Sequence, residues 1–493
     1  MKKCADNTAP RRTYCNPLPI PSIPRGKDGW YTNECGMFSH ENRPAGLIGE
    51  DYRSISDPTV FLWEGRWYLY PSYGMAWVSE DFCTWRFHRT EPYCPKYSPA
   101  IIPWKGRFLL TSWACPLYVS DSPLGPFEEL GPFIGVDGEP FVVTDPALFV
   151  DDDGRIYLYG FHPEPIQGSR FFCSQTVGWE LDQNNPRQAL RGPVVLQEMD
   201  PAHNVWERSG NHNQNVRFGW MEGVHMLKHN GRYYMIYAAP NTEFQSYCMA
   251  VSVSDDGPLS GFRVQKRNPL TLHREGLVQG CGHGCVEHAP DGSLWAFYTV
   301  AVPYLHMYER RIGMDRVEAD ENGELYCPDG VTDTPQYAPC GSNSGNPGWL
   351  PLNAWCRPTA SSCAPGRDPL YAVDRSSLSW WQPAPDDAEP MLLCDLTDPY
   401  VVCAARIFWR ERNLDYANGI CPGAIRYVIE GASEDSPEQW FILSDRSDST
   451  EDFNIDYRVF APKSCRWVRL RILGAPAGVN PGVIDFTVFG YMQ

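Results

Sequence analysis

The chain has 493 residues and a formal net charge of −18. That length is roughly three domains at ~150 residues each, although a β-propeller can run to about 200 residues or more as one unit. The negative charge repels phosphate backbones, which excludes nucleic acid and anionic membrane as partners, and no apolar run of ~18 residues is present to span a bilayer.

The N-terminus, MKKCADNTAPRRTYCNPLPIP, is basic but has no apolar segment behind it. It does not read as a secretory signal peptide, so a cytoplasmic location is expected. The 18 cysteines show no paired CxxC array, which argues against a zinc ribbon and for reduced, half-buried thiols.

Further along, one pattern recurs five times: an apolar run, a glycine turn, then an aromatic-rich run. The copies are DPTVFLWEGRWYLYPSY from Asp57, SPAIIPWKGRFLLTSW from Ser98, DPALFVDDDGRIYLYGF from Asp145, EGVHMLKHNGRYYMIYA from Glu222 and HGCVEHAPDGSLWAFYT from His283. Each predicts a β-hairpin turning at Gly65, Gly106, Gly154, Gly231 or Gly292. The segments MAWVSEDFCTWRF, LYVSDSPLGPFEEL and MAVSVSDDGPLSGFRV follow the first, second and fourth hairpins. Each reads as a third strand, a Ser-Asp turn and a fourth strand. Four strands repeated radially are a propeller blade, so the fold class is all-β, with a five-bladed β-propeller over residues 1–335. The long gap between the third and fourth copies predicts an insertion at about 162–215, above the propeller face.

Equivalent positions in a propeller lie at equivalent radii. The five repeat starts, Asp57, Ser98, Asp145, Glu222 and His283, should therefore converge on the central channel. Burying three carboxylates together is costly without a purpose. Like charges held close force their pKa values apart, leaving one carboxyl protonated and another ionised. Glycoside hydrolysis needs that pairing.

The stretches SDPTVF, TDPALFVDDDGRIYLYG, MEGVHMLKHNGRYYMIYA and GCGHGCVEHAPDGSLWAFYT, in this order, resemble glycoside hydrolase family 43 over roughly residues 40–330. The resemblance implies an inverting glycosidase that releases xylose or arabinofuranose from plant-derived oligosaccharides. It implies Asp57 as the base that activates water, Glu222 as the general acid and Asp145 as the carboxylate that tunes the acid. Inversion would set acid and base roughly 6.5–9.5 Å apart. His283 matches the axial histidine that binds calcium or a water cluster in many relatives, with no cofactor required. Arg310 matches an arginine that contacts substrate, although Arg311 beside it competes for that assignment. Val224 stands where the family often has proline. The long lead-in carrying Cys35 and His40 bears on which sugar fits.

Sugars stack on aromatic faces, which makes Trp113 and Phe244 substrate-binding candidates, with Trp77 and Trp220 beside them. Asn241 and Glu243 could reach ligand. The run from His203 to Trp220 is either pocket wall or packed insertion, and His212 alone supports no metal site. The DDDG at Asp151 reads as a hairpin turn, lacking the spaced ligands of a calcium loop.

After Tyr326 the chain turns rich in Gly, Pro, Ser and Asn, which marks a boundary. Residues 350–493 are expected to form a β-sandwich. Within them, TASSCAPGRDPLYAVDRSSLSWWQ, RWVRLRILGAP and VIDFTVFGY resemble a discoidin-like module. A structural or oligomerising role is expected for it, with homo-oligomerisation of the chain as one form, and exposed Trp380 or Trp381 would favour sugar binding instead. Two other functions remain open: a non-catalytic glycan-binding propeller, and an exo-galactanase-type activity on the same scaffold. A retaining fructosidase is disfavoured, because no WMNDPNG-like segment is present.

Overall fold

The structure is a computed structural model that describes residues 12–23, 51–72, 74–90, 97–165, 172–302, 308–339 and 345–492. Cys35 and His40 lie outside the described residues. Five four-stranded antiparallel sheets follow one another in chain order. Their first strands are Thr59–Trp63, Ala100–Trp104, Thr144–Val150, Glu222–His229 and Gly284–His288. These are blades 1 to 5, and the fold is the expected five-bladed propeller.

The local chemistry of the hairpins is plain. The pairs Glu64-Gly65, Lys105-Gly106 and Asn230-Gly231 all have positive φ, between 48° and 78°. They are two-residue turns closed by Trp63 opposite Arg66, Trp104 opposite Arg107 and His229 opposite Arg232. Such mirror-image turns match the right-handed strand twist, and glycine is the residue that enters them without strain.

Apolar cores fill the wedges between neighbouring blades. Phe61, Tyr70, Ile101 and Phe108 join blades 1 and 2. Leu109, Leu158 and Trp179 join blades 2 and 3, and Tyr157, Met226 and Met235 join blades 3 and 4. Ile236, Val251, Val286 and Tyr298 join blades 4 and 5. The ring closes through Trp67, Trp77, Phe82, Trp295 and Phe297, packed with Tyr14, Leu18 and Ile20 of the N-terminal segment. Blades 1 and 5 are each built from one stretch of chain, so among the described residues no exchanged strand ties them. The N-terminal segment serves instead. Fully buried Asn16 bonds both the N–H (3.0 Å) and the C=O (2.8 Å) of Met314, and Leu18 N–H donates to Ile312 C=O at 2.8 Å.

Two expectations change here. Residues Phe172–Leu181 and Ala189–Glu198 are the third and fourth strands of blade 3, not part of an insertion. The inserted piece is shorter, from Met199 to Met221, with a small strand pair, Arg208–Ser209 with Asn215–Gly219. It packs around buried Glu207, which accepts bonds from Asp200 N–H, Asn204 and Tyr237. Second, Trp77 is fully buried, and its Nε1 donates to Pro21 C=O at 2.8 Å. It belongs to the closure between blades, not to a sugar platform.

The C-terminal region is a β-sandwich made from one continuous seven-stranded sheet. Its strands Met391–Arg412 and Ile455–Gly474 are long, and slips in their pairing register let the sheet bend around its own core. That core includes Trp381, Trp409, Tyr427 and Phe486. A further cluster spans both regions: Leu277 and Val302 of the propeller pack on Trp380, Phe408, Ile455 and Ile484. Trp380 and Trp381 are both fully buried. Neither offers a face to sugar.

Replacing Asn16 with Ala would leave the Met314 peptide buried and unbonded. Each such group costs about 1–3 kcal/mol. The expected outcome is a lower urea unfolding midpoint for the propeller, read by tryptophan fluorescence. An unchanged midpoint would show that the N-terminal segment does not secure the closure.

Candidate active site

Each inner strand begins at a residue in the left-handed backbone region. The φ values are 54° at Asp57, 51° at Ser98, 46° at Asp145, 60° at Gly223 and 28° at His283. These are the equivalent positions of the five blades, which corrects the sequence alignment in blade 4. The repeat position there is Gly223, and Glu222 stands one residue before it. The reason is steric. A Cβ on Gly223 would lie 2.7 Å from the His283 ring, so the histidine of blade 5 occupies the space a fourth axial side chain would need. Glu222 therefore reaches the site from the adjoining strand position, with Gly223 as the hinge behind it.

Asp57 is buried, at 4% exposure. Its Oδ2 accepts from Ser72 Oγ (2.6 Å) and Ser56 Oγ (2.8 Å). Its Oδ1 faces Arg310 Nη1 at 3.2 Å and His283 Nδ1 at 3.6 Å. Burial would raise its pKa. The guanidinium, the imidazole and the two hydroxyls outweigh burial and hold the carboxyl below its ordinary range.

Glu222 lies in the opposite environment. Its carboxyl accepts from Tyr247 OH (2.7 Å) and Trp220 Nε1 (2.8 Å), and no cation contacts it among the described residues. Burial first, and the Asp145 charge second, push it up to about 7. Asp145 is also raised, by burial and by the Asp57 charge, although Ser98 Oγ (2.7 Å) and Gly223 N–H donate to it. Asp145 and Glu222 thus titrate as a pair that resists losing both protons.

Arg310 and Arg311 are separated by strand alternation. Arg310 turns inward to Asp57 and Thr242 Oγ1 (3.3 Å) and sits over the Tyr308 ring at 5.3 Å. Arg311 turns the other way, to Asn454 of the sandwich. Phe244 lies in the compact 241–247 turn of blade 4, whose ends place Thr242 on Arg310 and Tyr247 on Glu222. Trp113 follows the second strand of blade 2 and is 37% exposed, with its ring edge-on to Tyr97 at 5.9 Å. Its neighbour Ala114 donates to Val143 C=O, which sets it beside the lead-in to Asp145. Trp220 bonds the Glu222 carboxyl and packs edge-on against Phe161 at 5.5 Å, so the run from His203 is packed insertion at its start and site wall at its end. His203 pairs with Asp200, and His212 is exposed. Asp151 closes its hairpin and binds Lys228 and Tyr233.

Below these groups the axial channel has a volume of about 450 Å³ and runs past His283 and Ser98 to Lys228 and His288. No set of three or more His, Cys, Asp or Glu among the described residues is arranged to hold a metal ion. The His283 ring packs on Gly223 and its Nδ1 faces Asp57.

Sequence reasoning missed Ser56, Ser72, Thr242 and Tyr247. Ser56 was visible as the residue before the Asp-Pro pair. Ser72 and Tyr247 carried no local signal, because each is a loop residue brought in by its blade.

The profile of glycosyl hydrolases family 43 matches residues 53–325, more than half of the chain. The matched residues are those of the propeller that carries the three axial carboxyl groups. The chain belongs to glycosyl hydrolases family 43. It is 30% identical over 170 residues to a xylosidase/arabinosidase of Butyrivibrio fibrisolvens, a match covering 34% of this chain and 27% of that protein. It is 27% identical over 244 residues to xylosidase/arabinosidase 43A of Humicola insolens, covering 44% of this chain and 66% of the other. The matches span about a quarter and about two thirds of these curated relatives, respectively. A thermostable family-43 glycoside hydrolase of known structure superposes with a TM-score of 0.49 at 23% identity, over 59% of this chain and 97% of that one.

The raised pKa of Glu222 has a consequence for stability. The folded chain keeps a proton there that the unfolded chain releases at a lower pH, so folding loses free energy as pH rises from about 4.5 to about 7. Glu222→Gln removes this penalty; its amide oxygen can accept from Trp220 Nε1, and its NH2 can donate to the Tyr247 hydroxyl. Its Tm should exceed the wild-type value at pH 8 and match it near pH 4. An equal difference at both pH values would contradict the raised pKa.

Proposed function

We propose that the chain is an inverting glycosidase that releases a pentose, xylose or arabinofuranose, from plant-derived oligosaccharides. One observation carries the reading: the carboxyl groups around one axis sit in opposed environments. Asp57 is kept ionised by Arg310 and His283, and Glu222 is kept protonated by burial beside Asp145. A base and an acid ready at the same pH are what single-displacement hydrolysis requires.

In the proposed step, the Asp57 carboxylate takes a proton from a water as that water's oxygen attacks the anomeric carbon. The bond to the leaving oxygen breaks, and the Glu222 carboxyl gives its proton to that oxygen. The sugar leaves with inverted configuration, and the Asp57 and Glu222 protonation states reset with solvent. Tyr247 and Trp220 hold the Glu222 carboxyl in place by donating to its two oxygens. Arg310, His283, Trp113 and Phe244 are the proposed sugar contacts. The pentose assignment is supported by the relatives described as xylosidase/arabinosidase.

The test is release of aryl alcohol from aryl β-D-xylosides, α-L-arabinofuranosides and β-D-galactosides. One pentoside should turn over. Asp57→Asn should lose roughly 10²–10⁴-fold in kcat. Glu222→Gln should lose less on an activated aryl leaving group than on a natural disaccharide. In the wild type, kcat/KM should fall above about pH 7 as Glu222 ionises, and hold on the acid side until Asp57 protonates below its ordinary range. Turnover unchanged in Asp57→Asn would remove this residue as the base, and turnover of the galactoside alone would replace the pentose.

A further inference from the structure

The sandwich reaches the catalytic strands through one buried polar cluster. Arg53 is 1% exposed and lies four residues before Asp57. Its guanidinium is held by Glu411 (2.6 and 2.9 Å) and by Asp452 (2.7 and 2.9 Å), both from the sandwich. Arg311 Nε and Nη2 donate to Asn454 Oδ1 at 2.9 and 2.6 Å. Asn454 Nδ2 returns to Glu411 Oε2 (3.2 Å) and Trp409 C=O (3.0 Å). Arg311 Nη1 also donates to Arg53 C=O at 2.9 Å, which joins the two arginines into one unit.

From that unit the path to Asp57 is short. Ile55 N–H donates to Arg310 C=O, and Arg310 N–H donates to Ser54 Oγ, each at 3.0 Å. The lead-in to Asp57 and the start of the Arg310 strand are therefore bonded side by side. In a strand, consecutive side chains point to opposite faces, so fixing Arg311 outward fixes Arg310 inward. We infer that the sandwich positions the base: Glu411, Asp452 and Asn454 clamp Arg53 and Arg311, and thereby set the Arg310–Asp57 pair. They are positioning residues that touch no substrate. The inference rests on the reading of Asp57 as the base. The charged and titratable groups facing Asp57 are Arg310, His283 and Asp145, with Tyr247 and Tyr308 beyond them. Of these, Arg310 alone is bonded along the chain to the clamp.

The test uses the full chain with Asn454→Ala and the milder Asp452→Asn, whose carboxylate is partly exposed and whose loss leaves Arg53 its Glu411 partner. Ser377→Ala is the control. It removes a different contact between sandwich and propeller, Gln279 Nε2 to Ser377 Oγ at 2.6 Å, which involves neither Arg53 nor Arg311. The readouts are Tm, the pH profile of kcat/KM on the hydrolysed aryl glycoside, and the Asp57 titration from ¹³C-carboxyl spectra assigned with Asp57→Asn. The clamp variants should lose roughly 10- to 100-fold in kcat, the scale on which small misplacements act, with little change in KM. Their acid limb and the Asp57 titration should move together to higher pH. Ser377→Ala should lower Tm and move neither. Clamp variants with lower Tm but an unmoved Asp57 titration would overturn the inference and leave the sandwich a stabiliser only. A wild type with no turnover on any glycoside would instead overturn the catalytic reading, while the titration still decides the clamp.

Discussion

Everything around the axis follows from the cost of burying carboxyl groups together. Water no longer screens Asp57, Asp145 and Glu222, so each must be paired with a cation, given hydrogen-bond donors or left protonated. The chain uses all three solutions. Arg310 and His283 serve Asp57, donors from Ser98 and Gly223 serve Asp145, and Asp145 and Glu222 as a pair resist losing both their protons. Cations and hydroxyls on one side of the axis, and burial beside a second carboxyl on the other, push the Asp57 and Glu222 groups in opposite directions.

The propeller supplies the geometry for this separation at little local cost. A left-handed residue at the start of each inner strand turns the chain into the channel five times. Three of the five positions carry side chains that meet in the site, one carries the serine that serves Asp145, and one is glycine. That glycine is where the symmetry breaks. It yields its space to His283 and moves the carboxyl of blade 4, Glu222, to the neighbouring position, on the strand flanked by Trp220 and Tyr247. The asymmetry of the site thus comes from a single shift in the repeated pattern.

The rest of the chain restrains the ring. The N-terminal segment bonds the Met314 peptide and fills the wedge between the first and last blades. The sandwich shares an apolar cluster with the propeller and grips Arg53 and Arg311. Arg53 is paired with two carboxylates, an arrangement whose burial would be unfavourable without both partners. Such a contact specifies one relative placement of the two parts more than it adds stability.

The repeated hairpins, the five blades and the residues Asp57, Asp145, His283 and Glu222 were legible in the amino-acid sequence, because turn chemistry and strand alternation are local and recur at fixed spacing. The β-sandwich was legible from its own strand patterns. Other features depended on contacts between distant segments. The blade 4 register needed the His283 ring in space, since Glu222 and Gly223 are equally plausible repeat starts on spacing alone. The role of Trp77 needed the closure of the ring, and the third and fourth strands of blade 3 were hidden by a loop that lengthened the repeat. The choice between Arg310 and Arg311 needed the sandwich on the far side. Local backbone preferences act over a few residues and are written in order along the chain. Which carboxyl keeps its proton depends on charges and solvent exclusion brought together from all five blades, and only the tertiary structure decides that.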